Sequence, residues 1–449
     1  MSKMNKTSLA ALVVLLTGVT FAELPEKDGY THMGVATCAA SQCHGSAVPR
    51  EGSNVLQNEY VTWTQDDPHS RAYEVLSNNQ SKGIAARLGI GPASSAKICL
   101  DCHADNVAAS QRGERFHLTD GVGCEACHGG AENWLATHYN QPTVTHATNL
   151  EAGLYPTEAV TTRSDLCLSC HLGTNDKFAS HRIMAAGHPR LSFELDTFTE
   201  LWRTLGRQPH YRIDKDYRER KGGISHSYTW AAGLLSETRH RLRLIDGPLF
   251  DGEGMFPELG FYDCHACHRS MKTVQWRPLP RHGGVGPGMP FVHDGTLVMS
   301  MALARALSPS DGEAIEAGLI VLHRAGSDSI DAIREATSAL DTVLARLQRQ
   351  LSQRNLRGRE MQLLREILGT GADGNYIDYI SAEQAYMAVQ MLVIEIDDPR
   401  LEDQLDRIAD TLNNDERYRP AQFAAMLATL SEPGPEAEID VETEDEPIE

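Results

Sequence analysis

All ten cysteines of this 449-residue chain fall into five sets in which two cysteines are followed directly by a histidine. Four sets are spaced Cys-x-x-Cys-His: Cys99, Cys102 and His103; Cys124, Cys127 and His128; Cys167, Cys170 and His171; Cys264, Cys267 and His268. The fifth, Cys38, Cys43 and His44, has four residues between its cysteines. The spacing has a chemical reading. Two thiols can add across the two vinyl groups of a haem, and the histidine that follows can turn under the porphyrin to bind iron axially. Structural zinc also uses Cys-x-x-Cys, but it gives no reason for a histidine after every pair. Disulfides between cysteines two residues apart are poor geometry outside redox folds. The sequence therefore predicts covalent haem c, five groups in all. At Cys38 and Cys43, a local disulfide or a haem held by one thioether remains an alternative.

The N-terminus fits this chemistry. Lys3 and Lys6 precede an apolar run from Leu9 to Val19, and Thr20-Phe21-Ala22 offers the small residues of a cleavage site. Residues 1–22 are read as a signal peptide, with the mature chain beginning near Glu23 in the periplasm or beyond it. The run is too short to span a bilayer, and no transmembrane segment is expected elsewhere. Removing Lys3 and Lys6 takes the formal charge from -20 to -22. So acidic a chain is a poor partner for nucleic acid or an anionic membrane. It suits basic redox proteins or membrane-bound, quinol-linked ones.

The haem motifs end at His268, and no cysteine follows. Residues 23–293 are rich in Gly, Pro and His with little sustained periodicity, so porphyrins would have to supply much of the apolar surface that loops and short helices pack on. Residues 294–430 read as a helical bundle. Ile330, Ile333, Ala336, Leu340, Val343, Leu344, Leu347 and Leu351 form one apolar stripe on a long helix. A second helix is expected from Ser381, with Gln384 in capping-box relation, through Ile396. Shorter helical patterns cover 295–307, 312–323, 358–369, 400–413 and 420–430. His323, within one of them, reads as a packed or exposed histidine rather than an iron ligand. The stretch 431–449 is an acidic tail without Lys or Arg, read as disordered.

Each iron has a second axial position, and that position decides between a six-coordinate carrier and a site open to substrate. Fourteen of the nineteen histidines are left to fill it. Gly121 to Gly130, followed by Trp134 and His138, resembles the multihaem cytochromes typified by cytochrome c-554. So do Trp63 with Asp67-Pro68-His69, and the segment from His181 through Gly187-His188-Pro189 to Phe193-Glu194. The resemblance covers 60–195. It implies a mainly α, loop-rich multihaem cytochrome c fold organised around covalent haems, with His69, His138 and His188 as distal ligands. A typical member carries four haems; the fifth motif and the helical C-terminus are additions here. His32 and His181 lie close to haem segments and come next as distal candidates. His117, His146, His210, His226 and His240 are reserves, and Met33 and Met184 could also serve.

Five attachment motifs with histidines to spare point to a periplasmic electron relay rather than a substrate-converting enzyme. The alternative is an oxidoreductase with one open haem acting on a small nitrogen or sulfur compound, although no Cys-x-x-Cys-Lys motif of the nitrite-reductase type is present. A third possibility is a haem chain assembled from stacked subunits.

Overall fold

Short helices broken by tight turns carry the haem motifs, and long helices follow them. The computed structural model describes residues 23–53, 55–139, 145–204, 215–221, 225–251, 257–268, 279–286 and 288–431. The expected signal peptide lies outside these residues, as does nearly all of the acidic tail. The fold is mainly helical. Among the described residues the only β-type pairings are two isolated bridges, His32 with Arg112 and Tyr262 with Val292.

Up to about residue 160 the apolar core is small. Its one cluster of buried side chains is Leu76, Ala85, Ala93, Leu100 and Ala104. Four of the five motifs nevertheless sit at a helix end. Lys97–His103, Glu125–His128 and Val160–His171 each terminate on the motif's histidine, and Cys264–Cys267 is capped by His268. A helical turn places residues three apart on one face, which is why two intervening residues suit a pair of thiols meant for one ligand.

The long-spaced motif reaches a related closure by a different route. His128 N–H donates to the Cys124 carbonyl at 2.9 Å, and His268 N–H to that of Cys264 at 2.7 Å. His44 N–H donates to the Cys38 carbonyl at 3.1 Å across two additional residues, which are taken up in a turn where Cys43 and Gly45 both donate to Ala40. Gly45 is required there, since a Cβ would lie 1.9 Å from the Ala39 carbonyl oxygen.

The second part is the bundle: Gly295–Leu307, Pro309–Ala325, Ile330–Gln350, Glu360–Ala372, Tyr379–Ile396, Pro399–Ala409 and Pro420–Ser431. The stripe expected on Ile330–Gln350 faces inward, with Ile333, Ala336, Leu340, Leu344 and Leu347 buried. The next long helix starts two residues before the expected Ser381. Asp378 is its N-cap, accepting from the Ser381 N–H at 2.8 Å.

The boundary expected at 293 does not divide the core. A single cluster of buried side chains runs from Leu168 to Leu427 and includes Trp230, Leu234, Leu235, Leu242 and Ile245 of the helix His226–Asp246. That helix packs against Ile330–Gln350, so the bundle has a member from the haem-bearing half. Its stretch from Thr229 to Thr238 is buried on every side, so that part leaves no periodic stripe to read in the sequence.

Candidate haem-binding sites

Histidines distant in sequence meet in pairs. The ring centroids of His44 and His138 are 6.3 Å apart, of His69 and His171 6.1 Å, of His103 and His188 6.3 Å, and of His181 and His268 6.1 Å. Each pair joins the histidine of one cysteine motif to a histidine from elsewhere. A metal bound between two imidazoles, at roughly 2 Å from each nitrogen, separates the centroids by about 6 Å. All four spacings match an iron held between two rings.

The ring nitrogens are sorted in the same sense. His44 Nδ1 meets Glu59 Oε2 at 2.8 Å, His69 Nδ1 meets Asp67 Oδ1 at 2.9 Å, and His103 Nδ1 meets the Ala72 carbonyl at 2.9 Å. His138 Nδ1 meets the Leu135 carbonyl at 2.7 Å, and His188 Nδ1 meets the Pro189 carbonyl at 2.8 Å. An acceptor on Nδ1 fixes the tautomer and ring direction and leaves Nε2 for a metal, the usual arrangement behind a ligating histidine.

Local structure explains how these rings are placed. In Asp67-Pro68-His69, Pro68 opens a short 3-10 turn, and Asp67 caps it by accepting from the His69 N–H at 2.9 Å. The His69 carbonyl accepts from Val122 N–H at 3.1 Å, and Trp63 Nε1 donates to the Val122 carbonyl at 3.1 Å. Gly121, at φ +75°, passes so close that a Cβ would lie 2.7 Å from the His69 carbonyl oxygen. The distal segment and the third motif are thereby stapled together. His181 starts its helix with its N–H on Glu258 Oε1 at 2.7 Å, which ties it to the loop before Cys264. The His188 loop is held by the helix Asn79–Leu88, with Arg87 Nε donating to the Ala186 carbonyl and Gln80 Nε2 to that of Gly187.

Electrostatics favours neutral imidazoles on the motif side in two pairs. Burial, then the neighbouring His69, pushes His171 down to about 4. Burial also lowers His103, against its hydrogen bond to the Ala72 carbonyl. Burial works against charge on His69 too, but Asp67 outweighs it and raises that group.

The ten cysteines stand as free thiols, Cys38 and Cys43 included. Sulfur atoms of different motifs come close together, Cys38 to Cys124 and Cys102 to Cys170. Cys170 also lies 3.4 Å from Lys177 Nζ.

One expected ligand is placed otherwise. His32 is fully buried, with Nδ1 2.7 Å from Asp105 Oδ2 and Nε2 3.3 Å from the Pro25 carbonyl. Its Nδ1 carries an acceptor as in the paired histidines, and its Nε2 contacts the Pro25 carbonyl in this arrangement. Among the reserves, His240 Nε2 is on the Gly173 carbonyl, His226 Nδ1 on Asp196, and His146 on Glu158 at the surface. His210 lies outside the described residues. His128 ends its helix with its carbonyl accepting from Tyr155 N–H at 2.9 Å. The supporting acceptors went unread in the sequence. Asp67 was legible as a cap before Pro-His, whereas Glu59 and Glu258 act across loops and leave no local signal.

The donor set fits haem c on three counts: paired thiols beside an imidazole, opposed imidazoles at iron-bridging distance, and a sparse apolar core in the segment holding most motifs. Trp134 Nε1 beside His138 is, in addition, buried with no hydrogen-bond partner among the described residues. Fold and donors together define a c-type cytochrome. Residues 37–129, which hold the first three motifs, match the family described as cytochrome c554 and c-prime, which supports a c-type cytochrome with an electron-transfer role. No curated protein and no solved structure matches the chain.

Proposed function

We propose that this chain is a pentahaem electron relay exported to the periplasm, in which four haems are held by the pairs His44 with His138, His171 with His69, His103 with His188 and His268 with His181. The fifth is attached at Cys124 and Cys127 with His128 as proximal ligand. Bound haem supplies reversible one-electron chemistry at iron. The remaining work falls to the chain's own groups. Each pair of cysteines fixes a porphyrin, each histidine pair saturates an iron, and the acceptors on Nδ1 hold the rings in place. A histidine on each side of an iron would leave no position for substrate, which favours relay over turnover.

The observation that carries this reading is the set of four motif-to-distal pairs at 6.1–6.3 Å. The thiol contacts between Cys38 and Cys124, and between Cys102 and Cys170, add that attachment points of different motifs adjoin. A relay needs such closeness. Export is supported by the N-terminal pattern of Lys3, Lys6 and the apolar run, and by the chemistry of covalent haem attachment. No described helix is long and apolar enough to cross a membrane. The acidic charge favours a basic or membrane-bound, quinol-linked redox partner.

The test is haem count by intact mass with electron paramagnetic resonance of the oxidised protein. Five haems with at least four low-spin, bis-histidine irons are expected. Fewer than four low-spin irons, or turnover of nitrite, hydroxylamine or tetrathionate at a catalytic rate, would overturn the relay.

A further inference from the structure

Three buried side chains outside the five motifs converge where the bundle meets the last haem segment. His282 ends the turn Pro280–His282, Asp294 precedes the helix Gly295–Leu307, and His323 lies on Pro309–Ala325. One donor atom of each lies within 4.8 Å of the other two. Their exposures are 4%, 4% and 3%.

Both ring nitrogens of His282 are buried without a hydrogen-bond partner among the described residues, and so is Nδ1 of His323. Buried polar atoms are almost always satisfied, and an unsatisfied one carries its full desolvation penalty. The His282 ring is not loose. It stacks on Phe291 with centroids 4.1 Å apart and meets His323 edge-on at 5.3 Å. Asp294 is equally fixed, with Oδ2 accepting from Arg281 Nε at 2.7 Å and lying 3.0 Å from His323 Nε2. Arg281 is in turn held by Asn375 through its side-chain and backbone oxygens. This is the shell of outer contacts that orients a ligating carboxylate.

Acidic and basic groups surround the cluster. Asp294, Asp378 and Asp263 lie close enough to act on one another, and Arg281 pairs with Asp294. Asp378 also lies 3.4 Å from His293 Nε2.

We propose that His282, Asp294 and His323 form a site for a divalent first-row transition ion, with Zn²⁺ the natural occupant. Two imidazoles and one carboxylate are borderline donors that suit such ions rather than Ca²⁺ or Mg²⁺, and three protein ligands leave a fourth position for water. The site is placed to fasten the two halves of the chain. The segment just before Asp294 pairs with the one just before Cys264: Asp263 N–H donates to the Phe291 carbonyl and His293 N–H to that of Phe261, both at 2.9 Å. An ion here joins helices of the bundle to the base of the last haem motif.

The experiment uses the protein carrying its covalent haems, dialysed against a chelator and titrated with Zn²⁺ by calorimetry, with non-haem metal counted by elemental analysis. His282→Phe keeps an aromatic ring against Phe291 and removes both nitrogens. His323→Gln can keep a hydrogen bond to Asp294, and it decides the matter should the first variant fold poorly. Wild type is expected to take up one Zn²⁺ with a rise in Tm. Either variant should bind at least about 100-fold more weakly, beyond the loss expected from an outer contact alone, and show no such rise. Equal Zn²⁺ binding by wild type and variants, or none by wild type, would overturn the proposal.

Discussion

Glu125, inside the third motif, offers a sharp test of how the haem-bearing half is held together. It is 2% exposed, and its carboxylate accepts three backbone N–H groups: Met33 at 2.7 Å, Gly34 at 2.7 Å and Ala131 at 2.8 Å. Met33 and Gly34 lead directly into the helix Val35–Cys38, so this one side chain joins the first motif to the third. Glu125→Ala leaves three donors without partners. At about 1–3 kcal/mol for each unsatisfied buried group the gross cost is about 3–9 kcal/mol. Two effects reduce it. Water can enter the space left behind, and the mutation removes a buried carboxylate whose desolvation raises its pKa despite the three bonds. A net loss of about 2–4 kcal/mol is expected. Glu125→Gln keeps the shape but turns an NH₂ towards a donor, and should lose about 1–3 kcal/mol. Denaturant unfolding of the oxidised protein followed by circular dichroism gives the magnitude, and hydrogen exchange gives the location. The amides of Met33, Gly34 and Ala131 should lose protection ahead of the bundle. If Glu125→Ala stays within about 1 kcal/mol of wild type, or the three amides keep their protection, the stapling argument is wrong.

Three further outcomes are expected. His188→Ala should convert one haem from low to high spin and open it to small ligands, whereas His32→Ala should leave the spin-state spectrum unchanged while lowering Tm, since in this arrangement its Nε2 contacts the Pro25 carbonyl; a spin change in His32→Ala would reverse that assignment. The ring planes of His44 and His138 are 8° apart, while those of His69 and His171 are 90° apart and those of His103 and His188 are 79° apart. Paramagnetic resonance should therefore give a rhombic low-spin signal that disappears in His138→Ala, and strongly anisotropic signals that disappear in His69→Ala and His188→Ala. Glu194, raised to about 7 by burial and then by Asp196, binds its proton more tightly folded than unfolded. Its contribution to stability is present below the usual carboxylate range and is lost as pH rises towards 7, by up to about 3 kcal/mol at 1.36 kcal/mol per pH unit. Glu194→Gln should flatten that part of the stability–pH curve, and an unchanged slope would refute the assignment.

Much of the site was legible in the sequence because covalent attachment is a local event. The thiols and the imidazole that serve one haem must lie within a turn of each other, so Cys99 to His103 announces itself without any fold around it. The capping logic of Asp67-Pro68-His69 is equally local. The long stripe from Ile330 to Leu347 was readable for the same reason, since one face of that helix is buried and the other wet. The helix His226–Asp246 was not readable. Burial on all sides of its stretch from Thr229 to Thr238 erases the contrast that periodicity needs, and that helix carries the core across the boundary expected at 293.

The sequence by itself determined the cofactor chemistry, the number of attachment motifs and the helical character of the C-terminal half, all of which depend on neighbours in the chain. Only the tertiary structure decided which distal histidine faces which motif. His44 and His138 are ninety-four positions apart in sequence yet 6.3 Å apart in space, and nothing local to His138 names His44 as its partner. His138 and His32 differ in what their ring nitrogens meet: a carbonyl on one nitrogen for His138, protein partners on both for His32. Axial ligation is a long-range contact, and only the packed chain brings its two ends together.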